Sequence, residues 1–259
     1  MSDDAPLLSV RGLTKRYGEH VGCFDVGFDV WPGEVLGIVG ESGSGKTTVL
    51  ACLAGRIVPT AGLALYGTRD GERVDVLRLS PARRRRLARS EWGMVHQHAR
   101  DGLRMGVSAG GNIGEPLMAL GARHYGDLRA TACSWLGTVE IDEDRVDDLP
   151  ITFSGGMQQR LQIARTLATR PRIVFMDEPT GRLDVSVQAR LLDLMRGLVA
   201  DLGLAAVVVT HDLAVARLLA HRLLVMRRGE IVETGLTDQI LDDPQHPYTQ
   251  LLVASVLPP

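Results

Sequence analysis

Several groups of residues in this chain have the types and spacing to handle a triphosphate. Residues 40–47 read G-E-S-G-S-G-K-T. Gly40, Gly43 and Gly45 permit backbone conformations that turn successive N–H groups around one phosphate, with Glu41, Ser42 and Ser44 between them. Lys46 adds a point charge near the β- and γ-phosphates. The Thr47 hydroxyl is placed to hold Mg²⁺, and Thr48 leads on into helix. A plain glycine-rich turn would not need all eight positions to match. Residues 173–178 read I-V-F-M-D-E. Four apolar residues make a buried strand whose C-terminal end presents two carboxylates, where ligands gather in parallel α/β sheets. Asp177 would reach Mg²⁺, directly or through water, and Glu178 would orient and polarise the attacking water.

Two further polar groups follow apolar strands in the same way. His211 comes after A-A-V-V-V-T at 205–210, from where it can donate to a γ-phosphate and hold the water in line. Gln97, in G-M-V-H-Q-H, can offer its amide oxygen to the metal. A second phosphate-seeking element is F-S-G-G-M-Q-Q-R at 153–160. Ser154, Gly155 and Gly156 are small enough for a helix N-terminus to approach phosphate oxygens, where free N–H groups and the helix dipole favour negative charge. One chain with two such helix starts makes sense if two copies sandwich the nucleotide.

These residues need a framework of strand ends and helix starts. V-L-G-I-V-G at 35–40 is a short apolar strand, and K-T-T-V-L-A-C-L-A-G after it has helical spacing. Residues 7–70 read as short strands separated by P-G and G-T turns. Residues 99–160 have helical periodicity and form a helical subdomain inserted into an α/β core. From 172 to 235 strands alternate with helices, as in a parallel sheet with crossover connections. The tail, about 236–259, reads as two short helices broken by Pro244 and Pro247. The loop from His98 to Gly114 is glycine-rich and carries Arg100, Asp101 and Arg104, so it reads as an adaptable connection that can meet a protein surface.

Composition bounds the function class. The 259-residue chain can bury a full core, and its longest apolar runs fall well short of the roughly 20 residues that span a bilayer. M-S-D-D-A-P is not a secretory leader, so a soluble, cytoplasmic protein is expected. Cys23, Cys52 and Cys133 are scattered and odd in number, which reads as packing rather than disulfides or metal ligands. A net charge of −2 gives no general attraction to nucleic acid. The arginines of P-A-R-R-R-R-L-A-R at 81–89 read as the solvated face of a short helix.

With these motifs in this order, nearly the whole chain resembles the nucleotide-binding subunit of ATP-binding cassette (ABC) proteins. The resemblance implies one domain over residues 1–259: a P-loop core with a mixed, largely parallel sheet, an antiparallel β subdomain and the inserted helical subdomain. It implies ATP hydrolysis with Mg²⁺, catalytic roles for Lys46, Glu178 and His211, and metal ligation by Thr47, Gln97 and Asp177. Tyr17 would stack on the adenine, Ser154 to Met157 would be the signature, and Gly181 to Asp184 the D-loop. A homodimer, or a pair with a related ABC subunit, would form on ATP binding. Two motifs depart from the common pattern: in the signature Met157 stands where glutamine is usual, and in the D-loop Gly181 and Arg182 replace smaller or hydroxylated residues.

H-P-Y-T-Q-L-L near the end resembles the ATPases of oligopeptide, dipeptide and nickel importers. The segment after Gln97 does not, since it lacks their D-P and S-L-N-P elements. That segment, with A-R-H-Y-G-D-L-R-A-T-A at 122–132, resembles the ABC-type ATPases of bacterial carbon–phosphorus lyase systems. This implies a role in phosphonate catabolism, docked on soluble lyase core subunits, with no nucleic-acid partner. The other reading is the ATP-binding subunit of an importer, for which a membrane permease must be the partner.

Overall fold

The computed structural model describes residues 5–181 and 183–256. A long hairpin comes first, β1 (Leu8–Tyr17) and β2 (His20–Val30), followed by β3 (Val35–Val39) and α1 (Lys46–Leu53). Then come β4 (Ala61–Gly67), β5 (Arg73–Asp75), α2 (Pro81–Ser90) and β6 (Trp92–Val95). Four helices follow: α3 (Ala99–Gly102), α4 (Ala109–Ala119), α5 (Tyr125–Thr138) and, after two 3₁₀ turns, α6 (Gly155–Leu167). The chain returns through β7 (Ile173–Asp177), α7 (Val185–Leu202), β8 (Ala205–Val209), α8 (Leu213–Leu219), β9 (Arg222–Arg227) and β10 (Glu230–Leu236). It ends with α9 (Thr237–Asp242) and α10 (Pro247–Val256).

The strands make two sheets. An antiparallel sheet runs β2-β1-β4-β5, and a second runs β10-β9-β3-β8-β7-β6. In the second, β9, β3, β8, β7 and β6 are parallel and only β10 is antiparallel. Period-two alternation sorts the side chains of this sheet between two cores. Leu36, Ile38, Phe175, Val207 and Val209 face α1 (Val49, Leu50, Leu53) and, beyond it, the antiparallel sheet. Val35, Val39, Val174, Met176, Ala206 and Val208 face α7 and α8 together with the tail. Strands buried on both faces explain the unbroken apolar runs. Parallel strands also align their C-terminal ends. Val39, Val95, Asp177 and Val209 therefore finish along one edge of the sheet, and each leads into a segment singled out from the sequence.

A third core joins α4, α5 and α6 through Ile113, Leu136, Phe153 and Leu161. Residues 99–160 hold α3, α4 and α5, but α6 runs past residue 160 to Leu167 because Leu161 and Ala164 face that core while Ile163 and Leu167 face the other. The N-terminal strands are longer than expected: β1 spans 10 residues and β2 spans 11. Their pairing is interrupted by register shifts, which blur the alternation in the sequence. In the tail only Pro244 lies in the break, while Pro247 is the first residue of α10, where the missing N–H costs nothing. The loop from 98 to 114 is not a free connection. Buried Asn112 accepts from Arg104 N at 2.8 Å and donates to the carbonyls of Arg104, Val107 and Ser108 at 2.9–3.1 Å. Arg104 is paired with Glu115 at 2.6 Å, so of its two arginines only Arg100 stands exposed and unpaired among the described residues.

The arginine run lies on α2, capped by Ser80 and anchored by buried Leu87; Arg83, Arg85 and Arg86 are exposed, whereas Arg84 is half-buried and donates to Gly55 O at 3.1 Å. The three cysteines are free; Cys23 and Cys52 are buried and Cys133 is half-buried. No helix among the described residues is long and apolar enough to cross a membrane. Arg182, one of the two departures in the D-loop, lies outside the described residues.

Candidate functional site

The phosphate loop links β3 to α1, and glycine is required at both ends of it. Gly40 has φ 145° and Gly45 φ 103°; a Cβ on the first would strike the Met226 carbonyl, and on the second the Gly22 carbonyl. The Lys46 ammonium is drawn back into the loop, donating to Gly40 O at 2.7 Å, Glu41 O at 2.8 Å and Ser44 Oγ at 3.4 Å. Burial lowers its pKa from the ordinary lysine value, and the carboxylates of Glu178, Asp177 and Glu41 pull the other way. Parked on carbonyls, the charge is partly desolvated and ready to be exchanged for phosphate oxygens.

Across the loop, the Thr47 hydroxyl donates to Asp177 Oδ1 at 3.3 Å. Burial raises the Asp177 pKa; the Thr47 hydrogen bond lowers it, and the charge of Glu178 raises it again. Glu178 has φ 43°, a left-handed conformation that a residue with a Cβ seldom adopts and that clusters at functional sites. Its carboxylate is held on both sides. Gln97 Nε2 donates to Oε2 at 2.7 Å, and His211 Nδ1 lies 2.9 Å from Oε1. The residues after β6, β7 and β8 thus meet at one carboxylate. The His211 ring is mostly exposed, which leaves Nε2 free for a ligand.

A pocket beside the loop is lined by Tyr17, His20, Gly22, Ser42, Gly43, Gly45, Lys46, Thr47, Thr48 and Glu178. Tyr17 is 44% exposed and has Lys15 Nζ 5.1 Å from its ring centroid, so an aromatic face is presented at the rim. Gly40, Glu41 and Ser44 of the loop do not line this pocket; each offers an oxygen to Lys46 instead. Ser154, Gly155, Gly156 and Asp184 do not line it either. Ser154 caps α6 by accepting from Met157 N at 3.3 Å, while Asp184 starts α7, exposed and without a side-chain cap. A Cβ on Gly156 would lie 2.5 Å from Val187 Cγ1, so the signature helix seats directly against α7. The chain therefore holds one loop for phosphates and one separate helix start. Met157 fits locally, since Arg145 donates to its sulfur at 3.5 Å and lies over the Phe153 ring at 4.3 Å.

Sequence reasoning missed the residues that tie these parts together. Gln162, fully buried in α6, accepts from His96 N at 2.7 Å and donates to His96 O and Gln159 Oε1 at 3.1 and 3.2 Å. Gln159 donates to the same carbonyl at 3.1 Å. The signature helix is thus strapped to the residue before Gln97. A glutamine on a helix gives no sequence signal of this kind. The His96 ring sits against the Arg56 guanidinium at 2.9–3.1 Å, and burial and that charge push its pKa down to about 4. Asp212 caps α8 and accepts from Gln188 Nε2 at 2.9 Å, fixing the turn that presents His211.

A phosphate loop entering a helix, a strand-end Asp-Glu pair, two further strand-end sensors and a separate Ser-Gly-Gly helix start define a P-loop nucleoside triphosphatase of cassette type. Comparison with known proteins places it further. The ABC transporter family model matches residues 23–181, and the chain belongs to this family as an ABC-type ATPase. It is 68% identical over 252 residues, covering 97% of this chain and 98% of the relative, to the phosphonates utilization ATP-binding protein PhnK of Escherichia coli (strain K12). A peptide import ATP-binding protein of Brucella ovis is 37% identical over 260 residues, 99% of this chain and 80% of the relative. The glutathione import protein GsiA of Salmonella choleraesuis is 36% identical over 97% of this chain, which spans 41% of its length. Among solved structures, the ATP-binding cassette MJ0796 in a dimeric, post-hydrolysis state with ADP and Pi matches with TM-score 0.78 and 30% identity, covering 89% of this chain and 98% of that one.

Proposed function

We propose that this chain is the ATPase of a carbon–phosphorus lyase system, hydrolysing ATP between two head-to-tail copies to rearrange docked lyase core subunits during phosphonate catabolism. The observation that carries the reading is the 68% identity, from end to end, to a relative named for phosphonates utilization. The dimer is supported by the split of the site: the pocket with Lys46 and Glu178 contains no residue of the Ser154 helix start, and the matching cassette is dimeric.

In this scheme the adenine stacks on Tyr17, and the phosphates take the loop N–H groups and the Lys46 ammonium. Thr47 and Asp177, already converging at 3.3 Å, and the Gln97 amide oxygen would hold Mg²⁺, as the all-oxygen donor set that this ion prefers. When bound, the ion neutralises charge on the transferring phosphoryl group. Glu178 polarises the attacking water, while Gln97 and His211 hold its carboxylate in one orientation. Ser154 and Gly156 of the second copy present their helix start to the γ-phosphate. Hydrolysis removes that bridge and reopens the pair.

An importer subunit is the second reading, favoured by the 36–37% identity to peptide and glutathione import proteins. A tagged pull-down from cells growing on a phosphonate as sole phosphorus source separates the two. Soluble lyase subunits are expected; an integral membrane permease in their place would refute the lyase assignment.

A further inference from the structure

The H-P-Y-T-Q-L-L motif takes no part in the scheme above, yet the fold brings it to the phosphate loop. Its backbone is fixed at the start of α10. Glu233 of β10 accepts from Gln245 N at 2.7 Å and His246 N at 3.2 Å, and His246 Nδ1 accepts from Tyr248 N at 3.1 Å. Tyr248 is 4% exposed in the core below the parallel sheet, with the Arg227 guanidinium 4.8 Å from its ring centroid. Its hydroxyl ends 3.0 Å from Glu41 N and accepts that N–H.

The Gly40–Glu41 peptide is planar and trans, so its N–H and C=O point in opposite directions. Holding Glu41 N–H on the outside of the loop aims Gly40 C=O at the inside, where it receives Lys46 Nζ at 2.7 Å. Gly40 itself imposes little rotational preference. The Tyr248 hydroxyl is therefore the outer anchor of one of the two peptides whose carbonyls hold Lys46 at rest. We propose that Tyr248 is a positioning residue for nucleotide binding, preorganising the entrance of the phosphate loop through Glu41 N–H. The proposal rests on the ATP-binding reading of the loop and is independent of which partner the ATPase serves.

Preorganisation acts on affinity by removing an ordering cost. Losing one neutral hydrogen bond should weaken nucleotide binding by roughly threefold to tenfold. The chemical step, set by Glu178, should not change. Tyr248→Phe keeps the ring, the Arg227 contact and the packing, and removes only the hydroxyl. Leu252→Ala, at a half-buried position of α10 packed on the same core, loosens the tail while leaving the hydroxyl in place.

The measurements are ADP affinity by calorimetry and steady-state ATP hydrolysis for the full chain and both variants, with melting temperatures. Tyr248→Phe is expected to raise the ADP Kd and the KM for ATP roughly threefold to tenfold with kcat within twofold. Leu252→Ala is expected to lower the melting temperature without that rise. Unchanged Kd and KM in Tyr248→Phe would overturn the proposal. So would an equal rise in Leu252→Ala, which would make the tail merely structural. Hydrogen exchange of the unaltered chain tests the contact without any variant: the Glu41 amide should be protected before nucleotide is added, and free exchange there would also overturn the proposal. A chain that failed to bind ADP at all would refute the site reading itself.

Discussion

Replacing Gln162 by leucine tests whether the strap between the signature helix and Gln97 serves catalysis or only the fold. Leucine has similar volume but no polar atoms. The substitution removes three hydrogen bonds, to His96 N, His96 O and Gln159 Oε1. The His96 carbonyl keeps its bond from Gln159, whereas the His96 N–H loses its partner. An orphaned donor costs about 1–3 kcal/mol, and the other losses bring the total to about 2–4 kcal/mol. For a chain of this size that is a fall in melting temperature of about 5–12 °C. Freeing His96 also frees Gln97, which holds Glu178 Oε2 at 2.7 Å. A loss of about 1.4 kcal/mol of transition-state positioning corresponds to a tenfold drop in kcat. The KM for ATP should hold, because Gln162 does not line the pocket beside the phosphate loop and lies two turns along α6 from its Ser154–Gly156 start. Thermal melts and phosphate release at saturating ATP measure both effects. A melting temperature lowered as expected with kcat unchanged would refute the coupling and leave the strap a packing feature.

Other perturbations separate the remaining roles. Glu178→Gln can still meet Gln97 and His211 but lacks the charge, so phosphate release should fall about 10²–10⁴-fold while ATP binding persists; near-normal turnover would remove Glu178 from its role. Tyr17→Ala should weaken ATP roughly tenfold or more, from a stacking contribution of about 1–3 kcal/mol, and should weaken GTP alike, since a π-face is not base-specific; unchanged affinity on titration would place the base elsewhere. His96 takes up a proton only near pH 4 when folded but near 6.5 when unfolded. Between those values the unfolded state binds more protons, so this residue's contribution to stability falls as pH drops from about 6.5 to about 4. Relative to His96→Phe, the unaltered chain should therefore lose denaturant midpoint on acidification across that window; parallel curves would contradict the half-buried neutral imidazole.

Much of the site was legible because its chemistry sits in contiguous motifs at strand ends. The phosphate loop, Asp177–Glu178, Gln97 and His211 each follow a short apolar run, and a parallel sheet must bring such ends to one edge. What remained hidden consists of single polar residues whose partners are distant in sequence. Gln159 and Gln162 lie in Q-Q-R-L-Q, where glutamine reads as solvated helix surface, and only the burial of α6 against β6 turns them inward. Tyr248 meets Glu41 across 207 positions. Asn112 looked like part of a loose glycine-rich loop, because nothing local shows that its amide closes three carbonyls. Arg104 looked available to a partner for the same reason, though Glu115 already holds it.

The proposed mechanism depends most directly on two copies completing one site. Light scattering of Glu178→Gln with saturating Mg·ATP measures this, with the same variant carrying Ser154→Arg as its partner experiment. The expected result is a particle of twice the 28.1 kDa chain for Glu178→Gln and a single chain when Ser154→Arg is added. A single-chain mass for Glu178→Gln with ATP bound, or a doubled mass that survives Ser154→Arg, would contradict it.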